Sequence, residues 1–287
     1  MRCSKNSGSR TAGAGAHVGG AVAGASAMLA CLAGLAKVMG FLRDRSLAIV
    51  FGVGPQSDAY LVAAWLPPLI GAVIVNAVNT SLLPVFTELR VKGDDRAAWR
   101  LVSAVLCLAV GFSAVLTLAG VLSVDDLVVL VAPGFSGTTS AVTASLLRIT
   151  MPCMVFLAVF SVTSSVLYSF RCFAPPAWGA LVINSATIAG IVFGAGRWGI
   201  GAVAAGTLVG YVLQVVALIP FLRGRWAHFS LSLGFGDPNV RRVLALGAPV
   251  AVVAMLSQAS GFIEKSLASG LSEGSIAALT FANKLIM

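Results

Sequence analysis

The sequence predicts an all-α fold, a polytopic membrane helix bundle with about seven complete transmembrane helices and the start of an eighth. Of its 287 residues only 10% are Asp, Glu, Lys or Arg, while 58% are hydrophobic, and the mean hydropathy is +0.97. A soluble chain carries roughly a quarter charged residues and could not cover its surface with so few. Disorder is excluded too, because disordered chains are poor in apolar residues. The apolar residues run continuously rather than alternating, which fits helices and not barrel strands.

Taken in order, residues 1–20 are rich in Gly, Ala and Ser, carry Arg2, Lys5 and Arg10, and read as a disordered cytoplasmic tail. Their charge order resembles a signal peptide. The apolar run from Val18, however, passes the usual length of roughly 7–15 residues without a stop. A bilayer core takes about 20 apolar residues, and charged or Pro/Gly-rich breaks divide the chain into spans at 21–51, 59–87, 98–122, 141–170, 177–196, 199–222 and 243–268. Residues 21–268 thus form one transmembrane bundle. The amphipathic piece 124–131 ends at Ala132-Pro133-Gly134-Phe135 and is too short to cross. Residues 269–287 read as an outer loop and the truncated start of an eighth helix near 274.

The formal net charge of +9 would point a soluble chain toward nucleic acid. Here it follows topology, so no nucleic-acid partner is expected. One set of alternate loops holds Arg2, Lys5, Arg10, Arg90, Lys92, Arg96, Arg100, Arg171, Arg223, Arg225, Arg241 and Arg242, against Arg197 alone in the opposite set. Such a bias places the cationic side and the N terminus in the cytoplasm. Cys3, Cys31, Cys107, Cys153 and Cys172 are isolated, with no metal-ligand spacing, and read as packing residues. Neither a metal nor a cofactor is expected.

Several ionisable residues remain in or near the spans: Lys37, Arg43, Asp44, Arg45, Arg148, Glu264, Lys265 and Lys284, with Asp58 at a span entrance. A charge at mid-bilayer costs about 2.5–3.5 kcal/mol on insertion scales, so each must face a cavity or a partner, or snorkel to the interface. Lys37 has more than a dozen apolar or small residues on its N-terminal side and reads as cavity-facing. It shares a helical face with Asp44, and Gly40 between them permits a bend. Arg43 points about a third of a turn away, so a common site would need that bend. An alternative reading puts Arg43, Asp44 and Arg45 at a helix end, where they snorkel and pair among themselves, and Arg148 reads as either snorkelling or functional.

Asp58 reads equally as a charge stabilised at its own helix N terminus and as a functional group. Glu264 and Lys265 diverge by about 100°, so one faces the bundle while the other reaches the outer surface. Asp44, Asn76, Asn79 and Glu264 are candidate cavity-lining positions. Asn76, Asn79, Thr80, Ser81, Asn184 and Gln258 otherwise read as interhelical hydrogen-bonding groups. The sequon Asn79-Thr80-Ser81 falls inside a span and is discounted.

No enzyme constellation is present. His17 and His228 lie outside the spans without a nucleophile or metal arrangement, and no Walker loop occurs. What remains is a bundle whose intramembrane charge is mostly positive, which suits an anionic cargo carrying phosphate.

Lys37-Val38-Met39-Gly40-Phe41-Leu42-Arg43-Asp44, Phe51-Gly52-Val53-Gly54, Ser57-Asp58-Ala59-Tyr60-Leu61-Val62-Ala63, Leu66-Pro67 and Leu83-Pro84-Val85-Phe86 resemble the opening of the lipid II flippases, the MurJ/MviN family. The similarity continues through Ala132-Pro133-Gly134-Phe135, Leu147-Arg148-Ile149-Thr150-Met151-Pro152, Ser257-Gln258 and Phe281-Ala282-Asn283-Lys284-Leu285, covering residues 25–287 in collinear order. The resemblance implies a transporter of the multidrug/oligosaccharidyl-lipid/polysaccharide exporter superfamily, with about fourteen helices in two lobes. This chain would be its N-lobe. Such proteins move an undecaprenyl-pyrophosphate-linked peptidoglycan precursor from the inner to the outer leaflet by alternating access.

By the same resemblance, Lys37 and Arg43 stand at first-span arginine positions, Asp58 at an aspartate and Lys284 at an eighth-span arginine. Lys37, Arg43 and Lys284 would bind the pyrophosphate, and Asp58 would take part in gating or tune those cations. The sequence departs from the family in its second span. Where the family has two consecutive arginines and then a Glu, it has Gly71-Ala72 and then Val75-Asn76, which widens the expected cargo from lipid II to related lipid-linked sugars. The second departure is length: the chain stops inside the eighth helix, so it is expected to be half of a longer transporter, a fragmentary gene or a decayed one.

The expected partners are a polyprenyl-pyrophosphate-linked glycan, the lipid bilayer and cell-wall synthesis proteins, and the expected location is the bacterial cytoplasmic membrane. A non-transporting scaffold in cell-wall synthesis and a small-molecule exporter of the same superfamily are the rival readings. Cationic drugs would favour an acidic cavity, opposite in sign to this one.

Overall fold

The computed structural model describes the backbone of residues 14–135, 137–222 and 237–286 and, within those ranges, the side chains of 26–283. Among the described residues there is no strand. Helix α1 (Ala14–Phe51) ends at Gly52, whose φ of +71° turns the chain where an L-side chain would be strained. The expected tail is therefore helical over 14–20, while 1–13 lie outside the described residues. Helix α2 (Pro55–Val91) starts with proline in its first turn and carries Pro67, Pro68 and Pro84 inside. Membrane helices tolerate such prolines when neighbours satisfy the freed backbone groups.

Helix α3 (Asp95–Leu122) is capped by Asp94, which accepts from the Ala97 N–H. Helix α4 (Val124–Val131) matches the expected short piece. The expected span 141–170 is two helices, α5 (Gly137–Thr150) and α6 (Cys153–Ser169). The break falls at Pro152, which lacks the N–H that an unbroken helix needs. The fifth span is likewise segmented into α7 (Ala174–Ala177), α8 (Gly179–Ala189), a π turn (Gly190–Gly194) and α9 (Ala195–Trp198).

Helices α10 (Ile200–Val216) and α11 (Ile219–Leu222) form the sixth crossing. Arg223, Arg225 and His228 lie outside the described residues. Helix α12 (Pro238–Ser269) is capped by Asp237, and α13 (Ser275–Ile286) is the expected eighth helix. Among the described residues, seven helical stretches are long and apolar enough to cross a membrane: Ser26–Phe51, Pro55–Val91, Asp95–Leu122, Gly137–Ser169, Ala174–Trp198, Ile200–Leu222 and Pro238–Ser269. They coincide with the seven predicted spans.

Helix α2 is the spine, packing along α12, α6 and α5. Two apolar clusters divide the core by depth. One, around Leu47, Tyr60, Leu66, Leu147, Met151 and Ile276, lies toward the end where α1 stops. The other, around Leu82, Phe86, Trp99, Leu101 and Leu218, lies toward the opposite end. There Arg90 covers the Phe170 ring at 4.0 Å, and Glu88 bonds Lys92 and Arg242.

Helices α8 and α10 meet backbone to backbone. A Cβ on Gly206 would lie 2.9 Å from the Ala186 carbonyl oxygen, and one on Gly210 would lie 2.8 Å from the Ile183 Cα. Small residues at such contacts replace the hydrophobic drive that lipid removes. Large exposed side chains such as Ile49, Val115, Phe193 and Leu256 form the perimeter. Of the cysteines, Cys31, Cys107 and Cys153 are free thiols. Cys172 is buried in the second apolar cluster, in keeping with the packing role that its isolated spacing implies.

Candidate functional site

Arg43 lies two turns before the end of α1. Its Nε and Nη2 donate to Asp44 Oδ1 at 2.9 and 2.8 Å, and its Nη1 donates to Asn184 Oδ1 at 3.1 Å. The expected bend is unnecessary, because α1 runs unbroken through Gly40. Adjacent Cα–Cβ bonds diverge, yet the long arginine side chain swings its guanidinium back over the shorter aspartate. Asn184 in turn donates to the Ala36 carbonyl at 3.5 Å, bracing α1 against α8 and bearing out its reading as an interhelical group. Three of the five guanidinium N–H donors are thus held by Asp44 and Asn184, and Arg43 also borders the space beside them.

That space is a cavity of about 400 Å³ whose wall includes Arg43, Tyr60, Trp65, Tyr211, Gln258, Lys265 and Thr280. It is bounded by α1, α2, α10, α12 and α13. Tyr60 is fully buried, and its hydroxyl is 2.9 Å from Thr207 Oγ1, which lies 3.3 Å from Thr187 Oγ1. This chain of hydroxyls fixes α2 to α10 and α8 behind the arginine. Lys265, only 7% exposed, donates from Nζ to Thr280 Oγ1 at 2.6 Å and lies within electrostatic reach of Asp58. Glu264 is exposed and accepts from Asn283 Nδ2 at 3.1 Å. The divergence of the pair is as expected, and the lysine is the member that faces inward.

Asp58 is 3% exposed. Its Oδ2 accepts from the Gly274 N–H at 2.6 Å and its Oδ1 from the Ala277 N–H at 2.7 Å. The carboxylate therefore caps α13 rather than its own helix, giving a buried N terminus the acceptor it requires. The same end of the bundle is sealed by the Pro133-Gly134 turn, where the Gly134 N–H donates to Ser269 Oγ at 3.2 Å. A Cβ at Gly134 would overlap the Ser269 carbonyl, so the turn can close on α12 only as glycine.

The remaining candidates are dispersed. Lys37 is exposed on α1, outside the wall of this cavity. Asn79 accepts from Ser165 Oγ at 2.7 Å and so joins α2 to α6. Asn76 is exposed and donates back to the Ala72 carbonyl of its own helix at 2.8 Å, which makes it neither an interhelical group nor a cavity-wall residue. Lys284 falls within α13, but its side chain lies outside the described residues. Arg148 is exposed and reaches Asp125 at 3.7 Å. Among the described residues no cluster of His, Cys, Asp or Glu could hold a metal.

The family model "Lipid II flippase MurJ" matches residues 47–287. The chain is 28% identical over 261 residues to the lipid II flippase MurJ of Burkholderia cenocepacia, covering 88% of this chain and 51% of that protein. To the probable lipid II flippase MurJ of Rickettsia prowazekii it is 24% identical over 262 residues, covering 90% and 51%. The chain thus spans about half the length of the curated relatives it matches. A solved lipid II flippase MurJ in an inward closed conformation superposes with a TM-score of 0.77 at 22% identity, over 90% of this chain and 54% of that one. An inward-facing multidrug resistance MATE family transporter of the MOP superfamily gives 0.70 at 15% identity, over 87% and 57%. At these identities the two structures establish the fold.

Proposed function

The chain belongs to the lipid II flippase MurJ family, and on that premise we propose that it forms one lobe of a flippase-type transporter. The cargo is a polyprenyl-pyrophosphate-linked cell-wall precursor, lipid II or a related lipid-linked sugar. It crosses the cytoplasmic membrane by alternating access as the lobe rocks against a second one. The observation that carries this reading is Arg43, held by Asp44 and Asn184 at the wall of a cavity between spans. A braced guanidinium at a cavity wall is suited to phosphate oxygens.

Lys37, Arg43 and Lys284 bind the pyrophosphate in this proposal, and Asp58 takes part in gating. The cationic loops put the N terminus in the cytoplasm. The end where Asp58 caps α13 and Gly134 packs against α12 is then the outer one. The sign of the charge disfavours export of organic cations.

The test is reconstitution of the complete transporter in liposomes, followed by leaflet exchange of a fluorescent polyprenyl-pyrophosphate sugar. Arg43→Ala should slow exchange at least tenfold, and Lys37→Ala should slow it by a smaller factor. Unchanged exchange in both variants would remove the site assignment, and no exchange by the unmodified protein would remove the function.

A further inference from the structure

A second cavity, a groove of about 450 Å³, shares no wall residue with the Arg43 cavity. Helix α2 forms its floor and α3 and α12 its flanks. Ile74, Val78 and Ser81 of α2 are buried at the base, while Phe112 of α3 and Leu244 of α12 stand 58% and 55% exposed at the rim. Gly247 brings α12 onto α2, since a Cβ there would lie 3.3 Å from Ser81 Oγ. Ser81, the single polar side chain of the wall among the described residues, donates to the Ala77 carbonyl of its own helix at 2.6 Å. Its proton is therefore not offered to a ligand, and the wall suits hydrocarbon.

We propose that this groove holds one acyl chain of an anionic bilayer phospholipid, with the headgroup phosphate at Arg241. Residues 73–81 of α2 and 243–251 of α12 bound the groove. That is about 12 Å of each helix axis, close to one leaflet of a hydrocarbon core of about 30 Å. One end of the groove points to the cationic loops. Arg241 precedes Leu244 and Ala248 by three and seven residues, so it lies on the groove-lining face of α12. It is exposed and, among the described residues, makes no ion pair. Beside it, Arg242 and Lys92 share the one carboxylate of Glu88 at 2.8 and 2.6 Å, which leaves this corner with a net positive charge. Hydrocarbon gains little by exchanging lipid for an apolar wall, because lipid tails are equally apolar. Selection therefore comes from the head, and cations beside a membrane surface attract anionic lipid. The site is independent of the cargo and of which leaflet the cationic end faces.

The full chain is placed in phosphatidylcholine nanodiscs with a trace of a lipid that carries a diazirine in one acyl chain and either a phosphatidylglycerol or a phosphatidylcholine head. After irradiation the adducts are mapped by mass spectrometry. The phosphatidylglycerol probe should label 105–112 and 243–251 about fivefold more than the phosphatidylcholine probe, the factor for one cation at a membrane surface. Arg241→Ala should remove that excess and Arg241→Lys should keep it. Ala248→Phe should abolish groove labelling by both probes and leave adducts at the exposed Val115 and Leu118 unchanged. Equal labelling by the two probes, or an excess that survives Arg241→Ala, overturns the proposal. Absence of groove adducts while Val115 and Leu118 are labelled means that protein covers the groove, and overturns it as well. Displacement of the phosphatidylglycerol adducts by undecaprenyl phosphate, but not by excess unlabelled phosphatidylglycerol, assigns the groove to a prenyl tail instead.

Discussion

Asp58 and Gly274 are 216 residues apart in sequence and joined by a 2.6 Å hydrogen bond from the Gly274 N–H to the Asp58 carboxylate. The contact fastens the first turn of α2 to the N terminus of α13, with Ala277 supplying the second N–H at 2.7 Å. Removing a helix cap costs about 0.5–2 kcal/mol, and here the freed groups are also buried. Asp58→Ala should accelerate amide hydrogen exchange across 274–279 by at least tenfold while leaving α3 unchanged. Asp58→Asn keeps one acceptor oxygen and should have an intermediate effect. Equal exchange in all three proteins would mean that the cap does not hold this end closed.

Gly134 permits the second closure. An added methyl would run into the Ser269 carbonyl backbone, which cannot rotate away as a side-chain end could. Gly134→Ala should therefore separate the 132–135 turn from α12 and lower the thermal midpoint by several degrees. Ser269→Ala keeps the close approach and removes only the Gly134 N–H bond. At about 1 kcal/mol for one hydrogen bond, it should cost less. The reverse ranking in thermal unfolding would show that the bond, and not the close approach, is what matters.

The crossings were legible because lipid imposes length and hydropathy on each of them, and even the short 124–131 piece stands where its flanking Pro-Gly places it. What periodicity could not supply was the inward member of an adjacent pair. Glu264 and Lys265 are equally apolar-flanked, and only packing of α13 across α12 turns the lysine to Thr280 and the glutamate to Asn283. Pairing of Arg43 with Asp44 was one of the readings open from the sequence, and it needs no bend at Gly40. Helical phase describes Cα–Cβ directions, whereas a guanidinium reaches far enough to cross between phases. Asp58 was visible as a charge at a helix start, but its true partner is a backbone segment that no local spacing indicates.

The brace on Arg43 separates charge from geometry. Arg43→Lys preserves the charge but cannot donate simultaneously to Asp44 and Asn184 in the same plane. It should slow leaflet exchange in the reconstituted transporter about tenfold or more. Asn184→Leu removes a single acceptor and leaves the Asp44 contacts, so a smaller loss of about two- to fivefold is expected. Full activity in Arg43→Lys would show that a point charge suffices at this position.

The orientation proposed from the loop cations can be measured directly. Lys92 and Leu271 are both exposed, and they lie at opposite ends of the bundle, in the turn after α2 and the turn after α12. In a cysteine-free background, Lys92→Cys should resist a membrane-impermeant maleimide in right-side-out vesicles and react after permeabilisation. Leu271→Cys should react at once. The opposite pattern would invert the topology and place the Asp58 closure on the cytoplasmic face. The labelling experiment thus decides which side of the membrane the contact between α2 and α13 lies on.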